Sequence, residues 1–223
     1  MASAIKISLF ALGLFFIFGT TCHAMPVQNQ DALVTRDGFL GGAGGGGEFL
    51  LKIYDDDTSD TGLGTISKGE YISFCLEIQE HIRIGGRYNI AGVDDFAENG
   101  GYGGGTDNKD YVSGQTKWLF WNYLYGTDTM VVRNDTHERA NDVQRVIWAY
   151  EEEVLLSSLG KSAMTLYNHV MDNWGIIAGN VKVLNLTYEN GTFAQSQLVA
   201  EPAPEPATML LFGTGLIGLA GIA

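Results

Sequence analysis

Glu70-Tyr-Ile-Ser-Phe-Cys-Leu-Glu-Ile78 is the stretch on which the fold turns. Aromatic and β-branched residues alternate there with smaller or polar ones, which is the period of a strand. Ile72, Phe74, Leu76 and Ile78 share one face, and Tyr71, Ser73, Cys75 and Glu77 share the other, so the Cys75 thiol is expected to point away from the more apolar side. Upstream, Glu48 to Tyr54 has the same character and reads as a second strand, introduced by the glycine-rich run Gly41 to Gly47. That run lacks the Gly-Lys-Ser/Thr ending of a phosphate cradle and precedes a strand instead of a helix, so a flexible entry loop is expected. Downstream, Tyr88 to Val93 reads as a strand and Asp94 to Asp110 as a Gly/Asn/Asp-rich loop.

Helical spacing then takes over. Ser113 can cap a helix on which Trp118, Trp121 and Tyr125 form one stripe, a core pattern and not a sugar platform. Asn134-Asp135 can cap a second helix, with Val143, Val146, Ile147, Tyr150 and Val154 at helical intervals. A third, Ser162 to Trp174, carries Ala163, Leu166, Val170 and Trp174 on one side. Val181 to Tyr188 and Gln197 to Val199 supply late strands. Strands, then helices, then strands predict an α+β domain: an antiparallel β-sandwich or barrel with a cluster of about three helices.

The two ends have a different chemistry. Residues 1–24 read as a secretory signal peptide, with Lys6 as the basic region, Ile7 to Phe18 as the apolar region and cleavage between Ala24 and Met25 by signal peptidase. Residues 25–199 form the extracytoplasmic domain, 200–206 a Pro/Glu linker and 207–223 an uncharged run of 17 residues read as a transmembrane helix. With 13 basic against 26 acidic residues the formal net charge is −13, and losing Lys6 makes the mature chain one unit more negative. That balance excludes nucleic acid as a partner, because a polyanion would repel it.

Pro204-Glu205-Pro206 followed by the small, Gly-spaced apolar run resembles the PEP-CTERM sorting signal of Gram-negative bacteria that make exopolysaccharide. The resemblance implies an exosortase that recognises Pro-Glu-Pro, a transient anchor in the inner membrane, and a final place at the cell surface or in the extracellular matrix, with exopolysaccharide as a partner. The family pattern closes with a short Arg/Lys cluster, and none follows Ala223 in this sequence.

Cys22 leaves with the signal peptide, and Cys75 is then the remaining thiol of an exported chain, open to an intermolecular bond, to reactivity or to simple burial. Phe74-Cys75-Leu76-Glu77 together with Val143-Gln144-Arg145-Val146-Ile147-Trp148 resembles the two halves of the thioester domain of bacterial surface adhesins. By that resemblance Cys75 is the sulfur donor and Gln144 the acyl partner, with Val143 where the family has Thr and Val146 where it has Ala.

No catalytic set emerges, and an enzyme is not expected. His137-Glu138 lacks the second His of a zincin, no Gly-x-Ser-x-Gly elbow occurs, and Cys75 would need the fold to bring it His81 or His169. Glu151-Glu152-Glu153 reads as a wet helix face. No cofactor is expected. Asp55 and Asp57, in the acidic run Asp55 to Asp60, offer a weak calcium pattern that fails the EF-hand template. The leading expectation is an exported structural protein of the cell surface or matrix. Its rivals are a covalent adhesin using Cys75 and Gln144, and a reversible glycan- or calcium-binding module.

Overall fold

The computed structural model describes residues 24–36, 46–55, 67–102 and 106–202. The apolar part of the signal peptide, Asp57, the Pro204-Glu205-Pro206 motif and the 207–223 segment lie outside the described residues. Among the described residues no helix is long and apolar enough to cross a membrane.

The domain is α+β, with eight strands and three α-helices among the described residues. The strands are β1 (Asp31–Thr35), β2 (Phe49–Tyr54), β3 (Ser67–Ser73), β4 (Arg87–Asp94), β5 (Phe96–Glu98), β6 (Lys109–Tyr111), β7 (Gly179–Thr187) and β8 (Phe193–Pro202). The helices α1 (Gly114–Tyr125), α2 (His137–Tyr150) and α3 (Lys161–Asn173) fall between β6 and β7, as the strands-helices-strands order predicts. Six strands form one sheet in the order β3-β2-β1-β4-β7-β8, every neighbouring pair antiparallel, and β5 and β6 make a separate hairpin pair.

The chain leaving β3 joins the two outer strands. Leu76 N–H donates to Ser196 O at 3.1 Å and Leu198 N–H donates to Phe74 O at 2.9 Å, with Cys75 opposite Gln197. The strand order therefore returns on itself at Phe74 to Leu76. One face of all six strands packs into a core that includes Val34, Leu51, Tyr71, Cys75, Ile90, Leu184 and Val199. On the opposite face, Phe74 at the seam, Val183 of β7 and Leu198 of β8 pack with Leu119, Phe120, Tyr123, Val146, Ile147 and Leu166 of the helices.

This double burial bears out one expectation and corrects another. Cys75 does point away from the Phe74 face, but into the second core, where it is fully buried. Ile78 packs with that second core and not with Phe74 and Leu76, because alternation lapses once the chain has left β3. Helix α1 is apolar nearly all round, so Leu119, Phe120 and Tyr123 are fully buried while Tyr125, placed on the core stripe from spacing, is exposed. Ser113 is the α1 N-cap, accepting from Thr116 N–H at 3.2 Å. The α2 cap is Thr136, accepting from Arg139 N–H at 3.2 Å, and Asn134 braces it by accepting from the Thr136 hydroxyl at 2.8 Å. β8 runs to Pro202, three residues into the segment read as linker, and Ala200 is buried.

Phe74 holds the seam to the helices: its ring meets Phe120 and Tyr123 edge-on, at centroid distances of 6.1 and 5.2 Å. Phe74→Ala is expected to lower unfolding stability by about 3–5 kcal/mol, read as a lower urea midpoint.

Candidate functional site

The fold brings Cys75 and Gln144 together. Cys75 stands at the seam on the bridge to Gln197, and Gln144 lies on the buried side of α2, one helical turn before Trp148. Both are fully buried. The Cys75 Sγ–H donates to Gln144 Oε1 at 3.2 Å, and Gln144 Nε2 donates to the carbonyl of Cys75 itself at 2.8 Å. A third group completes the set: Gly47 N–H donates to Gln144 Oε1 at 2.8 Å. The carboxamide is thus fixed on both its oxygen and its nitrogen, with the thiol on the oxygen side.

Two glycines make this approach possible. A Cβ on Gly46 would sit 2.7 Å from the Trp148 ring and 3.1 Å from Cys75 Sγ, so only glycine lets the backbone pass between indole and thiol. Gly47 has φ +111°, a conformation that L side chains rarely adopt. The next residue anchors the pair. Glu48 is fully buried, takes a two-pronged contact from Arg133 (Nε to Oε2 3.0 Å, Nη2 to Oε1 2.9 Å) and accepts from the Tyr123 hydroxyl. Breaking this pair is costly chiefly on the Glu48 side, because that carboxyl group is buried and would be left without its partner, whereas the Arg133 side chain is partly exposed. Nothing in the sequence marked this cluster, since its members stand on three separate elements and Glu48 reads simply as the polar start of a strand.

The electrostatics keep the thiol protonated. Burial pushes the Cys75 thiol far above the usual range, and the Glu77 carboxyl adds to the effect. Glu77 is itself buried, with Oε2 accepting Ser196 N–H at 3.0 Å. Burial, with Glu80 as a like-charged neighbour, raises its carboxyl to about 8. The Glu151-Glu152-Glu153 run, expected as a wet face, is wet only at Glu152. Glu151 turns inward to accept from the Ser113 hydroxyl at 2.7 Å and Glu153 to accept Ile78 N–H at 2.9 Å, because Glu152 takes a positive φ of 58° just past the end of α2. Burial raises Glu151 to about 7.

The remaining candidate residues stay apart from this site. His81 hydrogen-bonds Gln79 O at the surface and His169 pairs with Asp128 at 2.6 Å, so neither is a hydrogen-bond partner of Cys75. Asp55 ends the segment after β2, and among the described residues no group of three or more His, Cys, Asp or Glu side chains is placed to hold a metal ion. At the cleavage position, Ala24 O accepts from the Tyr71 hydroxyl and Met25 N–H donates to Glu201 Oε2 at 3.1 Å. The start of the domain therefore lies beside the end of β8.

With this geometry in place, the comparisons with known proteins bear on the two ends and the centre separately. Residues 202–222 match the PEP-CTERM protein-sorting motif. The chain carries that sorting signal, which implies export, a transient membrane anchor and processing by an exosortase. Among solved structures the chain is similar to the N-terminal thioester domain of a surface protein from Clostridium perfringens, at 12% identity and a TM-score of 0.44, over 76% of this chain and 97% of that one. No curated protein sequence matches the chain.

The Glu77 carboxyl yields a pH test. Its ordinary value is 4.5 and its folded value about 8, so between these the folded chain holds a proton that the unfolded chain has released. Stability is fully present below the lower value and falls as pH rises through the upper one. Glu77→Gln keeps the neutral shape and is expected to flatten this slope, matching the wild type near pH 4 to 5 and melting at a higher temperature than it above pH 8, the upper end of that window.

Proposed function

We propose that this chain is an exported structural protein of the cell surface or exopolysaccharide matrix, sorted through its C-terminal signal by an exosortase. The match over residues 202–222 carries the reading. The fold supports it, since β8 delivers the chain straight out of the folded sheet at Pro202, the first residue of that match. Signal peptidase would cut after Ala24, the exosortase would recognise Pro204-Glu205-Pro206, and the 207–223 segment would hold the protein in the inner membrane between the two events. Expressed in an exosortase-bearing host, the wild-type chain is expected to lose its tail and leave the membrane fraction, while Pro204→Ala/Glu205→Ala/Pro206→Ala stays uncut. An uncut wild-type tail in such cells would refute the sorting reading.

One observation favours a second reading, a covalent adhesin: the Cys75 thiol rests on the Gln144 carboxamide, with Gly47 N–H on the same oxygen. In that chemistry Sγ attacks the Gln144 side-chain carbonyl carbon, and Gly47 N–H stabilises the negative charge that gathers on Oε1. The C–N bond then breaks, and the amide nitrogen with its two hydrogens takes up the thiol proton and leaves as ammonia. What remains is a Cys75–Gln144 thioester, which a surface amine could open to an amide while the thiol is restored. Burial of both side chains would shield the bond from water. Intact mass of the exported protein is expected to be lower by one ammonia, to rise by one methylamine on exposure to that amine, and to do neither in Cys75→Ala. A full-mass chain with an alkylatable Cys75 would end this reading.

A further inference from the structure

The chain enters and leaves the domain at one pole. Met25 N–H lies 3.1 Å from Glu201 Oε2, and the Tyr71 hydroxyl holds Ala24 O, so residues 24 and 25 lie along the gap between β3 and the end of β8. Gly179 pairs with Pro202 across the β7–β8 hairpin, and the Tyr125 hydroxyl donates to Ala200 O at 3.2 Å. Trp121 covers Gly179 and packs on Tyr125 at a centroid distance of 4.7 Å. Ile176, three residues before Gly179, is entirely exposed, and Tyr125 is 45% exposed. An exposed isoleucine, three residues from the Gly179–Pro202 pair, and a half-exposed tyrosine bonded to Ala200 therefore both lie near the exit, an apolar body and a wet hydroxyl that suit a bilayer interface.

The length of chain beyond this point fixes what the pole faces. Four residues, Ala203 to Pro206, separate Pro202 from the uncharged 207–223 run. Five residue steps span at most about 18 Å even fully extended. While that run is in the membrane, this pole is therefore held within about 18 Å of the hydrocarbon.

We propose that the pole formed by Tyr125, Ile176 and the Met25–Glu201 contact is a membrane-facing surface, seated on the headgroup region of the bilayer while the tail is anchored. The proposal rests on reading 207–223 as a membrane anchor. Its occupant is the lipid interface itself, and the acidic character of the chain favours zwitterionic over anionic headgroups. Seating would present Pro204-Glu205-Pro206 at a fixed height above the bilayer, where a membrane-embedded processing enzyme works. The β7–β8 turn around Asn190 lies at the far end of the hairpin, about 30 Å away along the strands, and should stay in water.

The test uses the full chain anchored in phosphatidylcholine vesicles, in a Cys22→Ala/Cys75→Ala background, so that the introduced cysteine is the one labelled. An environment-sensitive fluorophore is placed at Ile176→Cys or, separately, at Asn190→Cys; both sites are exposed, so neither change removes core packing. Blue-shifted emission at 176, with several-fold stronger quenching by lipid-borne nitroxide than at 190, is the expected result. Equal, water-like emission and equal quenching at the two sites would overturn it. Cutting the tail from the same sample should return the 176 signal to that of 190. The sorting reading fails separately: a tail left uncut in exosortase-bearing cells counts against sorting and leaves the contrast between 176 and 190 standing.

Discussion

Two hydrogen bonds, Leu76 N–H to Ser196 O and Leu198 N–H to Phe74 O, are the constraint on which the rest depends. Without them β3 and β8 would each present an unpaired edge, a template for association with other chains. With them, the strand neighbours complete a circuit, one face of every strand is shielded by the others, and the opposite face of β3 and β8 is free to receive the helices. The same five residues, Ser73 to Glu77, thus contribute to both cores, close the sheet and position the thiol. Their register is tightly held, because a slip of one residue would exchange Phe74 and Cys75 between the two cores.

Around that seam the protein buries an unusual amount of polar chemistry. Glu48, Glu77, Gln144, Asn185 and Gln197 are all inaccessible, and each is held by named partners across long sequence separations. The Glu48–Arg133–Tyr123 cluster ties the start of β2 to α1 and to the loop before α2, and through Gly47 it fixes the amide that holds Gln144. Glu77 works differently, as a carboxyl kept neutral by burial. The site is thus assembled from β2, the seam and α2, with fixed dipoles already set around the carboxamide.

How much of this was legible in sequence follows from physical range. Alternation and helical spacing are local, and they locate β2, β4, β7 and all three helices, while β3 (Ser67–Ser73) overlaps the Glu70–Ile78 reading only over residues 70–73, because its first half, Ser67-Lys-Gly-Glu70, carries no apolar pattern. β1 was missed because Asp31–Thr35 is five residues long with no flanking pattern, and β5 and β6 because three-residue strands inside a Gly/Asn-rich stretch carry no period. β8 was read as three residues and is ten, because Gln195, Ser196 and Gln197 are polar yet buried. Cys75 and Gln144 were paired by resemblance. Their meeting in space, with Gly47 as the third member, depends on contacts 69 and 97 residues apart that no local rule encodes.

The placement of Gln144 on α2 has a mechanical meaning. In the covalent-adhesin reading the thiol is restored and the partner stays on Gln144, so a chain tethered through Pro202 would be pulled between α2 and the end of β8. Between these two points the covalent line runs through α3 and the β7–β8 hairpin, and β1 to β6 and α1 lie off it. The load would fall first on the packing of Val146, Ile147 and Leu166 against Val183 and Leu198.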